Sequence, residues 1–211
     1  MLFFEDFDGQ EYAIVSDENH PGVEGGQPWK KGPVPDEFAI IGLGPIFLRI
    51  SDLDRMNQVL TGYLGFEDIH QEDHYHLYEV GKGGNGGSVI VEHTPDLNQA
   101  EPGFGSVHHM AFRIKDMDAL NQWINDLNTI GARHSGHVDR FYFHSLYTRL
   151  YPYILFEFAT EGPGFIDDEE SYEELGMALA LPPKFRNKRD KIEKLVRHID
   201  TSMKQYEKEY F

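Results

Sequence analysis

The sequence predicts an α+β fold built from two copies of one βαβββ module, and two observations carry that prediction. The first is a repeat at an offset of 64 residues. Ile46-Phe47-Leu48-Arg49-Ile50-Ser51-Asp52 is matched by Met110-Ala111-Phe112-Arg113-Ile114-Lys115-Asp116, so that Arg49 falls on Arg113 and Asp52 on Asp116. The second is a change of hydrophobic period behind each aspartate. Alternation, the mark of a strand with one buried face, gives way to the three-to-four spacing of a helix: Leu53, Met56, Leu60 and Leu64 in the first copy, Met117, Leu120, Ile124 and Leu127 in the second. Internal duplication of this kind points to two modules packed around related cores.

Taken in order, Leu2 to Val15 reads as a hairpin turning at Asp8-Gly9. Two strands cannot bury a face by themselves, so the hairpin is expected either to join a sheet formed later or to have its natural partners absent from this chain. Ser16 to Glu37 holds four prolines and reads as an extended linker. In each module the aspartate is placed to cap its helix, and a glycine, Gly65 or Gly131, to end it. Three strand-like runs follow each helix. In the first module they are Phe66 to Ile69, Tyr75 to Val80 and Ser88 to Thr94, the last two separated by the glycine-rich Gly81 to Gly87. In the second they are Gly136 to Asp139, Phe141 to Tyr147 and Tyr153 to Thr160. Beyond Thr160 come an acidic loop, a short helix over Tyr172 to Ala180 and a long polar helix over Lys184 to Glu209. The expected division is 1–37 hairpin and linker, 38–100 first module, 101–165 second module and 166–211 helical tail.

Composition narrows the function classes. A formal charge of −17 disfavours nucleic acid, whose phosphates need clustered cations. The one basic cluster, Lys184 to Arg197, reads as a solvated helix face. With no cysteine, disulfides, thiolate metal sites and cysteine nucleophiles are excluded. No apolar run approaches a membrane span and no signal peptide is evident, so the expected setting is the cytoplasm.

The candidate site starts from Val107 to Asp116. Met110, Phe112 and Ile114 share one face of that strand, and His109, Ala111 and Arg113 the other. An imidazole beside a small residue and a guanidinium lines a cavity better than it packs a core. His108 is expected on the face opposite His109. Glu157 alternates with Leu155 and Ala159, away from Phe156 and Phe158. His70, His74 and His76 read as an exposed polar hairpin, and one of His134, His137 and His144 as a possible lining residue.

A duplicated βαβββ unit with a histidine on its first strand and a glutamate on its last resembles the vicinal-oxygen-chelate superfamily of glyoxalases, antibiotic-resistance proteins and extradiol dioxygenases. Gly87-Ser88-Val89-Ile90-Val91-Glu92-His93, Val107-His108-His109-Met110-Ala111-Phe112, Asp139-Arg140-Phe141-Tyr142-Phe143 and Leu155-Phe156-Glu157-Phe158-Ala159-Thr160 resemble the C-terminal half of ring-cleaving dioxygenases associated with hydroquinones and catechols. The resemblance implies sheets curled into a cup, metal ligands at His109 and Glu157, and a substrate-bonding hydroxyl at Tyr147. It implies Fe(II), with Zn, Ni or Mn as alternatives or no metal held by this chain alone, and a small aromatic substrate. Pro45 stands where the first module would carry its histidine, and proline binds no metal; Glu92 is the equivalent of Glu157. Such an enzyme wants two histidines and one carboxylate, so the resemblance implies a truncated half with an incomplete site. A homo-oligomer such as a dimer, or an N-terminal half chain, would supply the further histidine. Two other readings stay open: a glyoxalase-like isomerase or lyase using Glu92, His109 and Glu157, and a non-catalytic ligand-binding or dimerisation module. The relatives' glycine-rich turn before the metal-binding glutamate is replaced by Leu150-Tyr151-Pro152-Tyr153, which is expected to hinder a turn needing positive φ.

Overall fold

The structure, a computed structural model, describes residues 1–18, 22–30, 32–103, 105–166 and 170–200. The described residues fall into two compact units: Met1–Met110 with Leu150–Leu155, and Ala111–Arg149 with Phe156 to Asp200.

The first unit opens with the hairpin, β1 (Leu2–Glu5) and β2 (Glu11–Ile14), paired antiparallel from Leu2↔Ile14 to Glu5↔Glu11. The described residues from Ser16 to Pro35 are irregular, and a 3₁₀ turn follows at Asp36–Phe38. It is stitched to the module by backbone bonds from Val23 N to Gly83 O (3.1 Å) and Gly26 N to Ile41 O (2.7 Å). A four-stranded sheet follows, β3 (Ile46–Ile50), β4 (Glu67–Glu72), β5 (Tyr75–Glu79) and β6 (Ser88–His93), in the order β3-β6-β5-β4. β3 runs parallel to β6, as a βαβββ path requires when its first strand lies beside its last.

Between β3 and β4 the Asp52 carboxylate accepts from Arg55 N at 3.0 Å and starts α1 (Leu53–Asn57). The predicted helix forms, but it widens into a π-helical turn over Gln58–Tyr63 before Gly65 ends it at φ +74°. Thr61 Oγ donates to Asn57 O at 2.8 Å within that turn. Met56, Val59, Leu60 and Leu64 are buried, as are Leu48, Ile50, Tyr78, Val89 and Val91 of the sheet. Each such side chain contributes roughly 1.5–3 kcal/mol. His76 is buried as well, with Nδ1 3.5 Å from Asp68 Oδ2, so the hairpin carrying it is not polar throughout. Its alternation puts His76 on the inner face with Tyr78.

The second unit repeats the order. β7 (Met110–Ile114), β8 (Val138–Asp139), β9 (Phe143–Tyr151) and β10 (Ile154–Pro163) are arranged β7-β10-β9-β8. Asp116 accepts from Ala119 N at 3.0 Å and caps α2 (Met117–Thr129), which Gly131 follows at φ +69°. Leu120 and Leu127 of α2 are buried. Trp123 stacks on Phe158 at 4.4 Å, and Phe112 lies 5.9 Å from Phe158. One face of β7 and β10 therefore packs under the helix, and Glu157 is left to the other.

The turn between β9 and β10 forms without glycine. Tyr153 itself takes φ +66°, so the Glu157 strand is presented despite the missing glycines. Tyr151 Oη accepts from Asp52 N at 3.0 Å, joining this turn to the start of α1 within the first unit. The tail departs from expectation. Tyr172 to Ala180 forms turns rather than a helix. The long polar helix is replaced by α3 (Pro183–Arg186) and α4 (Arg189–Glu193), after which Lys194 to Asp200 is non-helical. A polar segment with no buried stripe has nothing to offset its ordering entropy. The remainder of that predicted helix lies outside the described residues.

Candidate metal centre

Glu157 sits in the middle of β10, 3% exposed, flanked by Phe156 and Phe158 on the helix side. A buried carboxylate needs hydrogen-bond donors or a cation. β9 supplies two from residues of the same parity. Ser145 Oγ donates to Glu157 Oε1 at 2.5 Å and Tyr147 Oη donates to the same atom at 2.6 Å. Arg140 completes the set from the β8–β9 turn. Its Nε and Nη2 donate to Tyr147 Oη at 3.1 and 2.9 Å, and its guanidinium lies 5.1 Å from the Tyr147 ring centroid. The result is a directed chain, guanidinium to phenol to carboxylate, on the sheet face away from α2. The phenol's proton lies toward Glu157 while its oxygen is held by a cation.

His109 precedes β7 rather than lying within it, and is half-buried. Strand alternation therefore does not govern His108 and His109. Instead of pointing to opposite faces, their rings meet edge to face at 5.1 Å, with the two Nδ1 atoms 2.8 Å apart. Arg113, further along β7, pairs with Glu161 at 3.0 Å.

Glu92 stands in the first unit in the position its module equivalence suggests, but beside a cation. Arg49 Nε donates to its Oε2 at 2.8 Å, and Arg49 Nη1 reaches Glu11 Oε2 at 2.9 Å. His74 Nε2 lies 3.8 Å from Glu92 Oε1. The two carboxylates hold the Arg49 guanidinium above its ordinary range, the Glu92 bond first and the Glu11 bond second. Among the described residues, no group of three or more His, Cys, Asp and Glu side chains converges to hold a metal. Sequence reasoning missed Ser145 and Arg140. Ser145 was visible in principle, two residues before Tyr147 and so on its face. Arg140 depends on the fold of the preceding turn, which periodicity does not report.

A mixed four-stranded sheet in each unit, a helix against one face and a buried glutamate on the last strand of the second define a class. The chain belongs to the Glyoxalase/Bleomycin resistance protein/Dioxygenase superfamily, whose sequence pattern matches residues 42–163. Among its relatives, the provisionally named ring-cleaving dioxygenase MhqA of Bacillus subtilis (strain 168) is 38% identical over 204 residues, covering 94% of this chain and 64% of the relative. The chlorohydroquinone/hydroquinone 1,2-dioxygenase of Sphingobium indicum is 27% identical over 169 residues, covering 79% of this chain and 52% of the relative. A crystal structure of a provisionally named dioxygenase from Bacillus subtilis subsp. subtilis str. 168 aligns with a TM-score of 0.77 at 29% identity, covering 96% of this chain and 66% of the other. The chain thus spans about half to two thirds of the length of the curated relatives it matches.

Proposed function

We propose that this chain is part of a ring-cleaving dioxygenase acting on catechol- or hydroquinone-type aromatics through Fe(II). The observation that carries the reading is Glu157: a buried carboxylate fixed by two hydroxyls on the sheet face away from the helix. An oxygen donor of this kind with an imidazole suits iron, manganese, zinc or nickel, and the ring-cleaving reading takes iron among them. Glu157 would be a ligand to the ion, which when bound would supply open positions for substrate and O₂; His109 is the imidazole that the sequence resemblance offers. A further imidazole would come from another subunit or from residues outside this sequence. Glu92 is better suited to pairing with Arg49 than to ligation, which also weakens the glyoxalase-like alternative, since that reading needs Glu92 on the metal.

The remaining roles belong to this chain's own side chains. Ser145 and Tyr147 fix the orientation of the Glu157 carboxylate. Tyr147 Oη carries a proton between Glu157 Oε1 and the Arg140 guanidinium, and Arg140 stabilises negative charge on that oxygen. The phenol is therefore a suitable proton donor to a substrate oxygen, a function worth about 10²–10⁴ in rate when a positioned group performs it.

Oxygen uptake with catechol and with hydroquinone, measured on the Fe(II)-treated chain, tests the reading. The chain by itself is expected to bind iron weakly and consume no O₂ above background. Stoichiometric iron with turnover would overturn the incomplete site. Hemithioacetal turnover without O₂ uptake would favour the isomerase.

A further inference from the structure

We propose a second metal site, on the opposite face of β9 from Glu157, in which His137 and His144 chelate a late first-row divalent cation such as Ni²⁺ or Cu²⁺. His137 Nε2 and His144 Nδ1 stand 3.0 Å apart, with ring centroids at 5.0 Å. Two imidazole nitrogens bound at about 2.0–2.1 Å lie about 3.3–3.4 Å apart at a tetrahedral centre and about 2.8–3.0 Å apart when they subtend a right angle. The observed separation fits the right angle, which is the preference of square-planar and octahedral ions rather than tetrahedral zinc.

The backbone that carries the two rings is held by pairing on both sides. Antiparallel pairs Val138↔Ser145 and Asp139↔His144 set the β8–β9 register beside them. His144 N donates to Thr160 Oγ at 3.0 Å, and Thr160 Oγ in turn donates to Gly162 O at 2.8 Å. His137 is exposed, so the pair is open to solvent and water can complete the coordination shell. The neighbouring carboxylate, Asp139, accepts from Phe141 N at 2.7 Å. Ser145 points toward Glu157, so His144, its neighbour in the strand, points to the other face. The site is therefore separate from the Glu157 centre. Metal binding needs no net proton loss. The N–H of the donor ring moves to that ring's other nitrogen, leaving Nε2 of His137 and Nδ1 of His144 as lone-pair donors.

The test is a Ni²⁺ titration of the tag-free chain by calorimetry, repeated on His137→Gln, His144→Gln and Glu157→Gln, with circular dichroism as the fold control. Wild type and Glu157→Gln are expected to share one Ni²⁺ equivalent that each histidine variant weakens at least tenfold. The exposed His137 keeps the test informative if His144→Gln does not fold. Equal Ni²⁺ binding by wild type and His137→Gln would overturn the site, as would no binding by wild type.

Discussion

At the scale of residues, Glu157 shows what alternation conveys and what it omits. Its parity against Phe156 and Phe158 is enough to put it on the face away from the helix, and it lies there. Its hydrogen-bond partners are not in the pattern, because which residues of β9 face Glu157 depends on strand register and on the turn that returns the chain. His109 illustrates the converse. The residue type was informative, but the strand begins one position later, and His108 therefore meets it instead of facing away. Two single-residue predictions follow from environment. Asp116 is held below the ordinary carboxylate range, first by the Ala119 N–H. Its contribution is present above that range and lost as pH falls through the lowered value. Asp116→Ala should lower stability near neutral pH, read by urea unfolding, with the difference shrinking in acid. Tyr78 is pushed up to about 12, first by burial and then by Asp68. The unfolded chain releases the Tyr78 proton near the ordinary value of about 10 while the folded one keeps it, so stability should fall between those values. Tyr78→Phe should flatten that part of the curve.

At the scale of elements, the capped helices and the strand order were legible because the duplication states them twice. The π-helical widening at Gln58–Tyr63 was not, since Leu53, Met56, Leu60 and Leu64 satisfy a regular helix equally well. The tail misled for a physical reason: polar residues with good helix propensity do not form a long helix without a face to bury. The β9–β10 turn is the most instructive element. Tyr153 occupies a left-handed conformation that costs an L-residue about 1–2 kcal/mol, and its side chain is 68% exposed. Tyr153→Gly should raise the stability of the chain by about 1 kcal/mol, read from the urea midpoint with an unchanged slope. A loss of stability would show that the tyrosine ring contributes packing. In the linker, a Cβ on Gly22 would overlap the Gly83 carbonyl. Gly22→Ala should therefore cost about 1–3 kcal/mol, detectable as a lower thermal midpoint.

At the scale of the molecule, the two units share one topology but treat the equivalent carboxylate differently. In the first, Glu92 is neutralised by Arg49, which also takes Glu11. In the second, Glu157 accepts from the Ser145 and Tyr147 hydroxyls, and Arg140 donates to Tyr147. No described helix is long and apolar enough to cross a membrane. The chain spans little more than half of the hydroquinone dioxygenase it matches. The most direct test of the proposal that Glu157 is a metal ligand is an anaerobic Fe(II) titration of the wild-type chain beside Glu157→Gln, which preserves shape and an acceptor for Ser145 and Tyr147. We predict Fe(II) binding in the wild type that weakens at least tenfold in the variant. Equal Fe(II) affinity in the two proteins would contradict it.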